Sequence, residues 1–291
     1  MTNLEPFSAV GVVGCGLMGS GIAEAAARRG LQVVVVERDA QAAAAGQARI
    51  ESSLTRGVKA AKLAEEDAAA ALGRISVHTD FDALAPLELV VEAVLEAEAD
   101  KIAVFERLDQ VVTAPQAILA TNTSSIPIMK LAMATTRPTQ VIGIHFFNPV
   151  PVLPLVELVT SLLTSEDTSA RAEAFAREQL GKEVIHSQDR AGFIVNALLI
   201  PYLLSAVRML ESGFATKEDI DLGMVKGCAH PMGPLALADL IGLDTTMAVA
   251  ESLYAEFKEP LYAPSPLLAR MVEAGLLGRK SGRGFYDYHQ R

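Results

Sequence analysis

The sequence has few cysteines and more acidic than basic side chains. Among its 291 residues are only two cysteines, Cys15 and Cys228, too few for a disulfide framework and typical of a reducing compartment. The formal net charge of −10 disfavours nucleic acid or an anionic membrane as a partner, because most of the surface would repel a polyanion. Any anionic ligand would therefore need a local basic pocket.

Membrane and targeting signals are also missing. The opening residues, MTNLEPFSAV, have no basic n-region or apolar h-region and no Arg-rich amphipathic pattern. The longest apolar stretch, residues 193–210, is interrupted by Asn196, Pro201 and Arg208, and is short for a membrane span of about 20 apolar residues. We expect a cytoplasmic protein in which this stretch is a buried helix of the core or of an oligomer interface.

The motifs of several enzyme classes are absent from the sequence. There is no HExxH spacing and no Cys/His cluster, so we expect no metal site. There is no GxSxG segment, so a serine hydrolase would lack its nucleophile elbow. The isolated histidines are interpreted as structural, namely His78, His186, His230 and His289.

The apolar pattern alternates between strand and helix before it changes. Strands are predicted at 8–13, 32–37, 87–94, 117–121, 140–146 and 181–187. Helices are predicted at 17–29 and over 40–72, the latter an insertion with a turn at 55–62. The alternation predicts an α/β domain with a doubly wound, mostly parallel sheet over residues 1–190. Only helical patterns follow, so an all-α domain is predicted over 191–291.

The first chemical motif is GCGLMG, residues 14–19, between a predicted strand and a predicted helix. Its three glycines permit a tight turn, close approach of the backbone to a pyrophosphate, and close packing of helix on strand. The following helix offers free N–H groups to phosphate oxygens. We therefore predict a dinucleotide-binding loop, with a ligand-free glycine turn as the alternative; the loop comprises Gly14, Gly16, Leu17, Met18 and Gly19.

Two neighbours of this loop refine the prediction. Glu37 ends the second predicted strand, 23 residues after Gly14, where a carboxylate can bind the adenosine ribose. It would repel a 2′-phosphate, so NAD is favoured over NADP, although the adjacent Arg38 weakens that preference. Cys15 lies at a helix N-terminus, where a thiol pKa can be lowered. We interpret Cys15 as a small loop residue, with a redox role as the alternative.

The second motif is HFFNPVPVLPLVE, which begins at His145 and ends at Glu157. His145 follows an apolar run and so lies at the carboxyl end of a strand, the edge where open α/β sheets bind ligands. Three prolines between the two residues rule out a regular helix and predict an extended, stiff connection. We expect the side chains to meet, with Glu157 orienting an imidazole that exchanges a proton beside a nicotinamide.

Nine segments together resemble the 3-hydroxyacyl-CoA dehydrogenase family over almost the whole chain. They are GVVGCGLMGSGIA, VVEAV, TNTSS, GIHFFNPVP, LVELV, GFIVN, PYL, HPMGPLALADLIGLD and GRKSGRGFYDY. The resemblance is greatest to the monofunctional bacterial 3-hydroxybutyryl-CoA dehydrogenases. It implies a Rossmann domain followed by a helical dimerisation domain. It also implies reversible, NAD-dependent oxidation of an (S)-3-hydroxyacyl-CoA, such as 3-hydroxybutyryl-CoA, to the 3-ketoacyl-CoA, such as acetoacetyl-CoA.

The resemblance further implies roles for individual residues. His145 is the general acid and base on the substrate oxygen and Glu157 its charge partner, while Ser124 and Asn196 bind or polarise that oxygen and the thioester end. The implied cofactor contacts are Glu37, Ala93, Glu96, Lys101, Asn122, Ser124 and Asn148. Without the family, the plainer interpretations are a helix N-cap for Ser124, a satisfied buried amide for Asn196 and a solvated lysine for Lys101.

Coenzyme A would need the basic pocket that an acidic chain otherwise lacks. Arg56, Lys59 and Lys62 lie on the predicted turn of the helical insertion and form the candidate patch for the 3′-phosphate-ADP end. A solvated turn is the alternative. The apolar stretch at 193–210 and the Met/Leu-rich segments near 232–253 predict a homodimer through the C-terminal domain.

The chain departs from the family pattern at three positions. Pro154, Ala191 and Ala197 stand where many members have lysine, proline and arginine. The missing positive charge bears on acyl-chain preference and coenzyme A affinity rather than on the reaction. Two other functions stay open: a non-catalytic NAD-binding structural or sensing protein, and a hydroxyisobutyrate-type dehydrogenase. The latter is expected to use a lysine base where this chain has Asn196.

Overall fold

The computed structural model describes residues 5–289, which fall into two compact units. The first unit extends to Arg190 and the second begins at Ala191. In the described residues, every regular strand belongs to the first unit, and the second is built from helices. The predicted architecture is confirmed: a mostly parallel α/β sheet with a helical insertion, followed by an all-α region.

The first unit is organised around an eight-stranded sheet. Its strands are β1 (Ala9–Val13), β2 (Gln32–Val36), β3 (Ile75–His78), β4 (Leu89–Glu92), β5 (Ile118–Thr121), β6 (Val141–Phe146), β7 (Leu155–Thr160) and β8 (Glu183–Gln188). They lie in the order β3-β2-β1-β4-β5-β6-β7-β8. The first six are mutually parallel, β7 is antiparallel to β6, and β8 is parallel to β7. The carboxyl ends of the six parallel strands therefore share one edge, where doubly wound sheets bind ligands.

Burial along the strands follows their position in the sheet. β4, β5 and β6 are buried at every residue, as expected of parallel strands covered on both faces. The edge strand β3, which the sequence did not predict, alternates between half-buried and exposed residues. Because β3 has only four residues, of which two are half-buried, its apolar pattern in the sequence is weak. The strand is recognised only by its pairing with β2.

The helices of the first unit flank this sheet. They are α1 (Leu17–Arg28), α2 (Ala40–Lys59), α3 (Glu65–Leu72), α4 (Glu98–Val111), α5 (Ile128–Ala132) and α6 (Glu166–Ala174), with a π-helical turn after α6 (Phe175–Gln179). The hairpin of α2 and α3 is present, but its turn lies at 60–64 and not at 55–62. Helix α2 continues because Ile50, Leu54 and Val58 extend one apolar stripe at i, i+4 spacing.

The second unit has its own core. Its helices are α7 (Val195–Glu211), α8 (Lys217–Gly227), α9 (Pro234–Ile241), α10 (Leu243–Phe257) and α11 (Pro266–Glu273). Leu203 and Leu204 of α7 are fully buried in this core, whereas Leu198 on the same helix is 72% exposed. The apolar stretch 193–210 is therefore buried along only one side within this unit. Across residues 5–289, no helix has both the length and the apolar character needed to cross a membrane.

Buried carboxylates fasten the C-terminal segment to these helices. Asp239 of α9 accepts hydrogen bonds from the backbone N–H groups of Phe285 and Tyr286, both at 2.9 Å, and from the Tyr288 hydroxyl at 3.0 Å. Asp221 of α8 accepts the Tyr286 hydroxyl at 3.0 Å. These bonds explain why the segment GRKSGRGFYDY, residues 278–288, packs as part of the unit without a regular strand or long helix.

Candidate active site

The glycine-rich loop between β1 and α1 has the geometry that a dinucleotide requires. Gly14 has φ +89°, and a Cβ there would come within 2.8 Å of the Ala93 carbonyl oxygen just beyond β4. A Cβ on Gly19 would overlap the Gly14 carbonyl oxygen, whereas a Cβ on Gly16 would meet no atom within 4 Å. Gly16 precedes α1 without a side-chain cap, so the first N–H groups of the helix, at Leu17 onward, remain available to phosphate oxygens. These features fit the pyrophosphate of NAD.

Glu37 lies against this loop from the end of β2. Its Oε1 accepts the Cys15 N–H at 2.5 Å, which holds the carboxylate against the glycine loop. Arg38 instead pairs with Asp39 at 3.2 Å, and its side chain is 80% exposed. Arg38 is therefore paired with Asp39 and not with Glu37, the carboxylate predicted to bind the ribose.

The thiol of Cys15 is not activated by its position at the start of a helix. Cys15 is 1% exposed and packs against Gly46 of α2. Burial, reinforced by the Glu37 carboxylate and opposed by Arg49, raises the pKa of the Cys15 thiol to about 11. The interpretation of Cys15 as a small, buried loop residue agrees with this pKa, whereas a redox role would need an accessible thiolate.

His145, Glu157 and Ser124 form a chain of contacts at the carboxyl ends of β5 and β6. His145 on β6 is in register with Glu157 on β7, and its Nδ1 lies 2.6 Å from Glu157 Oε2. The Ser124 hydroxyl oxygen lies 3.1 Å from His145 Nε2. The Glu157 side chain is fully buried and that of His145 is 5% exposed. In this geometry the Glu157 carboxylate can accept a hydrogen bond from His145 Nδ1–H, and Nε2 faces the Ser124 hydroxyl.

The segment between His145 and Glu157 is a turn and not the extended connection that was predicted. The N–H groups of Val152 and Leu153 both donate to the Pro149 carbonyl oxygen, at 3.0 and 2.9 Å. The chain therefore reverses, and β7 runs back along β6. Proline excludes a regular helix but is as compatible with a tight turn as with an extended strand. The antiparallel register is what places the base opposite the acid.

Three further residues lie beside His145 or at the turn that follows it. The Phe147 ring lies edge-on to the His145 imidazole, with centroids 4.7 Å apart, and so covers part of it. Lys182 holds the turn from the other side, because its Nζ donates to the carbonyl groups of Val150 and Leu153 at 2.6 and 2.7 Å. Asn148, the predicted cofactor contact, is exposed immediately after Phe147.

Glu96 holds the turn that carries Ser124. Its Oε1 accepts the N–H of Ser124 at 2.9 Å, the N–H and hydroxyl of Ser125 at 3.2 and 3.1 Å, and the hydroxyl of Thr123. Burial alone would raise the pKa of Glu96, but nearby Lys101 and these hydrogen bonds outweigh it and keep that pKa below its usual value. Glu96 is therefore a stable anion that fixes the backbone of the turn.

Lys101 is buried between two carboxylates. Its side chain is 1% exposed, and its Nζ lies 2.6 Å from Glu92 Oε1 and 3.3 Å from Glu96 Oε2. The alternative of a solvated lysine is wrong. The helix-cap alternative for Ser124 is wrong as well, because α5 begins at Ile128 and Asp189 accepts its first N–H group at 2.8 Å.

Behind the Ser124 turn lie Glu92 and Thr121, which the sequence did not single out, and Asn122, which it did. Glu92, with no exposed surface, accepts the Val94 N–H on Oε1 and the Thr121 hydroxyl on Oε2, both at 2.7 Å. Asn122, a predicted cofactor contact, uses its Oδ1 to accept the Phe146 N–H at 2.9 Å and so joins β5 to β6. A glutamate inside the apolar run VVEAV was the available signal for Glu92; nothing local marked Thr121.

The basic residues predicted to bind coenzyme A lie on the helical insertion of the first unit, and Asn196 lies in the second unit. Arg56 and Lys59 belong to α2, and Lys62 follows in the turn; all three are exposed, and Arg56 donates to the Ser52 hydroxyl at 2.7 Å. Asn196 lies in the first turn of α7. In the part of the chain that the structure describes, no group of three or more His, Cys, Asp and Glu side chains could hold a metal ion.

The three departures from the family pattern have ordinary surroundings. Pro154 is exposed, and its carbonyl oxygen accepts the Glu183 N–H at 2.8 Å. Ala191 is buried and donates its N–H to Glu256 at 2.8 Å, and Ala197 is half-buried in α7. None of these contacts replaces the charge that a lysine or arginine would bring.

Comparison with known proteins gives matches over nearly the whole chain. Residues 9–190 match the family model of the 3-hydroxyacyl-CoA dehydrogenase NAD binding domain, and residues 192–288 match that of the 3-hydroxyacyl-CoA dehydrogenase C-terminal domain. A 3-hydroxybutyryl-CoA dehydrogenase from Mycobacterium tuberculosis is 59% identical over 279 residues, 96% of this chain and 98% of that protein.

Solved structures agree with these matches. The crystal structure of FadB2 from M. tuberculosis has a TM-score of 0.97 and 58% identity, covering 98% of this chain and all of that one. The (S)-3-hydroxybutyryl-CoA dehydrogenase PaaH1 from Ralstonia eutropha has a TM-score of 0.91 and 48% identity, with the same coverage.

Proposed function

The chain belongs to the 3-hydroxyacyl-CoA dehydrogenase family and is an NAD-dependent dehydrogenase, and from this premise we propose its substrate and its proton-transfer residues. The substrate is a short-chain (S)-3-hydroxyacyl-CoA, chiefly 3-hydroxybutyryl-CoA, which is oxidised reversibly to acetoacetyl-CoA. Residues 1–190 bind NAD, and residues 191–291 contribute to the substrate site and to dimerisation. The short chain length is supported by the relatives described above, which are named for 3-hydroxybutyryl-CoA.

The observation that carries the proposal is the continuous contact from Ser124 through His145 to Glu157. A neutral imidazole with its proton on Nδ1, held by Glu157, has a lone pair on Nε2 within 3.1 Å of the Ser124 hydroxyl. An alcohol oxygen bound beside that hydroxyl can pass its proton to Nε2, and the buried Glu157 carboxylate stabilises the imidazolium that forms. In the reverse direction the imidazolium returns the proton to the oxygen.

The remaining functions are hydride acceptance, cofactor binding and positioning of the Ser124 turn. When bound, NAD supplies the hydride acceptor for the oxidation. The glycine loop would hold its pyrophosphate and Glu37 its adenosine ribose, while Glu96 keeps the Ser124 turn in place. Asn196 is assigned to the thioester end of the substrate on the strength of the family resemblance.

The first prediction tests the proton-transfer pair with conservative variants. His145→Gln should lower kcat for acetoacetyl-CoA reduction by roughly 10²- to 10⁴-fold, the usual scale of a lost general acid/base, with NADH affinity nearly unchanged. Glu157→Gln should also lower kcat, because the imidazolium then loses its buried counter-charge. Rates are followed by NADH absorbance and affinity by NADH fluorescence.

The chain offers a matched control for this pair. His186 lies 3.3 Å from Glu173 on the surface, where their side chains are 51% and 34% exposed. His186→Gln should leave kcat unchanged. Full activity in either His145→Gln or Glu157→Gln would refute the assigned roles, and a higher kcat/KM for long-chain than for four-carbon substrates would refute the proposed chain length.

A further inference from the structure

Below the Ser124 turn lies a buried ionic cluster that has no direct part in the proposed proton transfer. Glu92 and Lys101 have 0% and 1% exposure, and their charged atoms are 2.6 Å apart. Removing two opposite charges from water is costly, and packed apolar side chains of similar volume are often at least as stable. Fold stability alone is therefore a weak explanation for this pair.

The two oxygens of Glu92 serve the ends of two different strands. Oε1 receives the Val94 N–H just beyond β4, together with Lys101. Oε2 receives the hydroxyl proton of Thr121, the last residue of β5, at 2.7 Å. A hydroxyl has only one proton, so this bond leaves a lone pair on Thr121 Oγ1 to accept the Thr123 N–H at 3.1 Å. Glu92 thereby orients the first residues of the turn.

Lys101 links Glu92 to Glu96, which holds the other side of the turn. It is 3.3 Å from Glu96, whose opposite oxygen accepts the Ser124 N–H at 2.9 Å. The hydroxyl of Ser124 is not used in this clamp and meets His145 Nε2. The backbone of Ser124 is thus held through Thr121 on one side and through Lys101 and Glu96 on the other.

We propose that Glu92 is a positioning residue for the dehydrogenase reaction, acting on Ser124 through Thr121 and through Lys101 with Glu96. This inference rests on the proposed roles of Ser124 and His145. A displacement of about 1 Å in a reacting constellation can cost about 10²-fold in rate, so the alignment of one hydroxyl justifies a network of this size. Glu92 itself has no exposed surface, so its substitution removes no direct contact with a ligand.

The test begins with Glu92→Gln in the full-length enzyme. The amide oxygen can still accept from Lys101, but the NH2 group can only donate toward Thr121, so the hydroxyl of Thr121 loses its acceptor and Lys101 loses a negative partner. We expect kcat for acetoacetyl-CoA reduction to fall about 10- to 100-fold, with the dissociation constant of NADH changed less than about threefold. Glu98→Gln is the control on α4, since its ion pair with Lys130 is half exposed.

A second variant removes one bond and keeps the ion pair. Thr121→Val deletes the hydroxyl and keeps the shape of the side chain nearly constant. We expect kcat to fall by less than it does in Glu92→Gln. Thr121→Ser keeps a hydroxyl and should retain most of the wild-type kcat. These variants keep the inference testable if Glu92→Gln fails to fold, which circular dichroism and thermal unfolding would reveal.

Double variants separate positioning from a general structural effect. If Glu92 and Thr121 act through Ser124, their substitutions should change kcat by less than about twofold once Ser124→Ala has removed the hydroxyl. Losses that simply multiply with that of Ser124→Ala would overturn the inference, as would wild-type kcat in folded Glu92→Gln and Thr121→Val. Failure of His145→Gln to reduce activity would instead refute the proposed function.

Discussion

At the scale of single residues, Glu37 illustrates how one carboxylate can set cofactor choice. Its Oε1 is held by the Cys15 N–H, so the negative charge is fixed against the glycine loop. Arg38, the residue that would offset it, is paired with Asp39 and directed to solvent. We therefore expect a cofactor with a 2′-phosphate to meet an anion at the ribose.

From this geometry we predict that Glu37→Ser weakens discrimination against NADPH. Removing one charge about 4 Å from a phosphate is worth on the order of 1 kcal/mol in a solvated site, so the kcat/KM ratio of NADPH to NADH should rise about fivefold or more. Glu106→Ser is the control, because it removes an exposed carboxylate from α4 and leaves the pair of Arg38 with Asp39 intact. Comparable use of NADPH and NADH by the wild type would contradict the ribose assignment.

At the scale of elements, α2 and its following turn present the candidate coenzyme A surface. Helix α2 extends to Lys59, so Arg56 and Lys59 lie on its last turn and only Lys62 lies in the loop. These cations are exposed at the C-terminus of a helix, where the helix dipole favours positive charge. The same location suits an anionic ligand in a chain of net charge −10.

Charge reversal on this element should weaken binding of the nucleotide end of the substrate. We expect Lys59→Glu and Lys62→Glu each to raise KM for acetoacetyl-CoA by about three- to tenfold at low salt, with a smaller effect at high salt. A pantetheine thioester, which lacks the 3′-phosphate-ADP group, should show little change. Lys226→Glu on α8 is the matched charge control. Equal effects on both substrates would remove the patch from the binding site.

At the scale of the whole molecule, the second unit leaves several large apolar side chains exposed outside its core. Leu198 on α7 is 72% exposed, Phe214 79% and Leu222 on α8 56%. Apolar surface of this kind on a folded unit is typical of an interface between subunits. It supports the predicted homodimer through the C-terminal region.

The dimer prediction is tested by mass in solution. Light scattering at micromolar concentration should give about twice the chain mass of 30.8 kDa. Leu198→Glu should shift the protein toward the monomer, because it places a charge on the apolar side of α7. Leu162→Glu is the control, since that leucine is 96% exposed in the first unit. A monomeric wild type, or dissociation by Leu162→Glu alone, would contradict the prediction.

The sequence by itself determined the features that depend on neighbours along the chain. The period of apolar residues predicted most strands and the helical second region, and the spacing of Gly14, Gly16 and Gly19 predicted the loop. The position of His145 after an apolar run predicted its place at the carboxyl edge of the sheet. Each of these follows from local sterics or from the two- and 3.6-residue periods, which a linear pattern contains.

The tertiary structure decided the features that depend on strands packed side by side. In the folded chain, the proline-containing segment between His145 and Glu157 is a turn, so that these two residues face each other in antiparallel register. Tertiary packing raised the pKa of Cys15 through burial, where a helix N-terminus alone would lower it. It also gathered Glu92 and Lys101 into one buried cluster behind Ser124. Burial and cross-strand distance arise only when separate segments pack, and they set the free energy of a charge or a hydrogen bond.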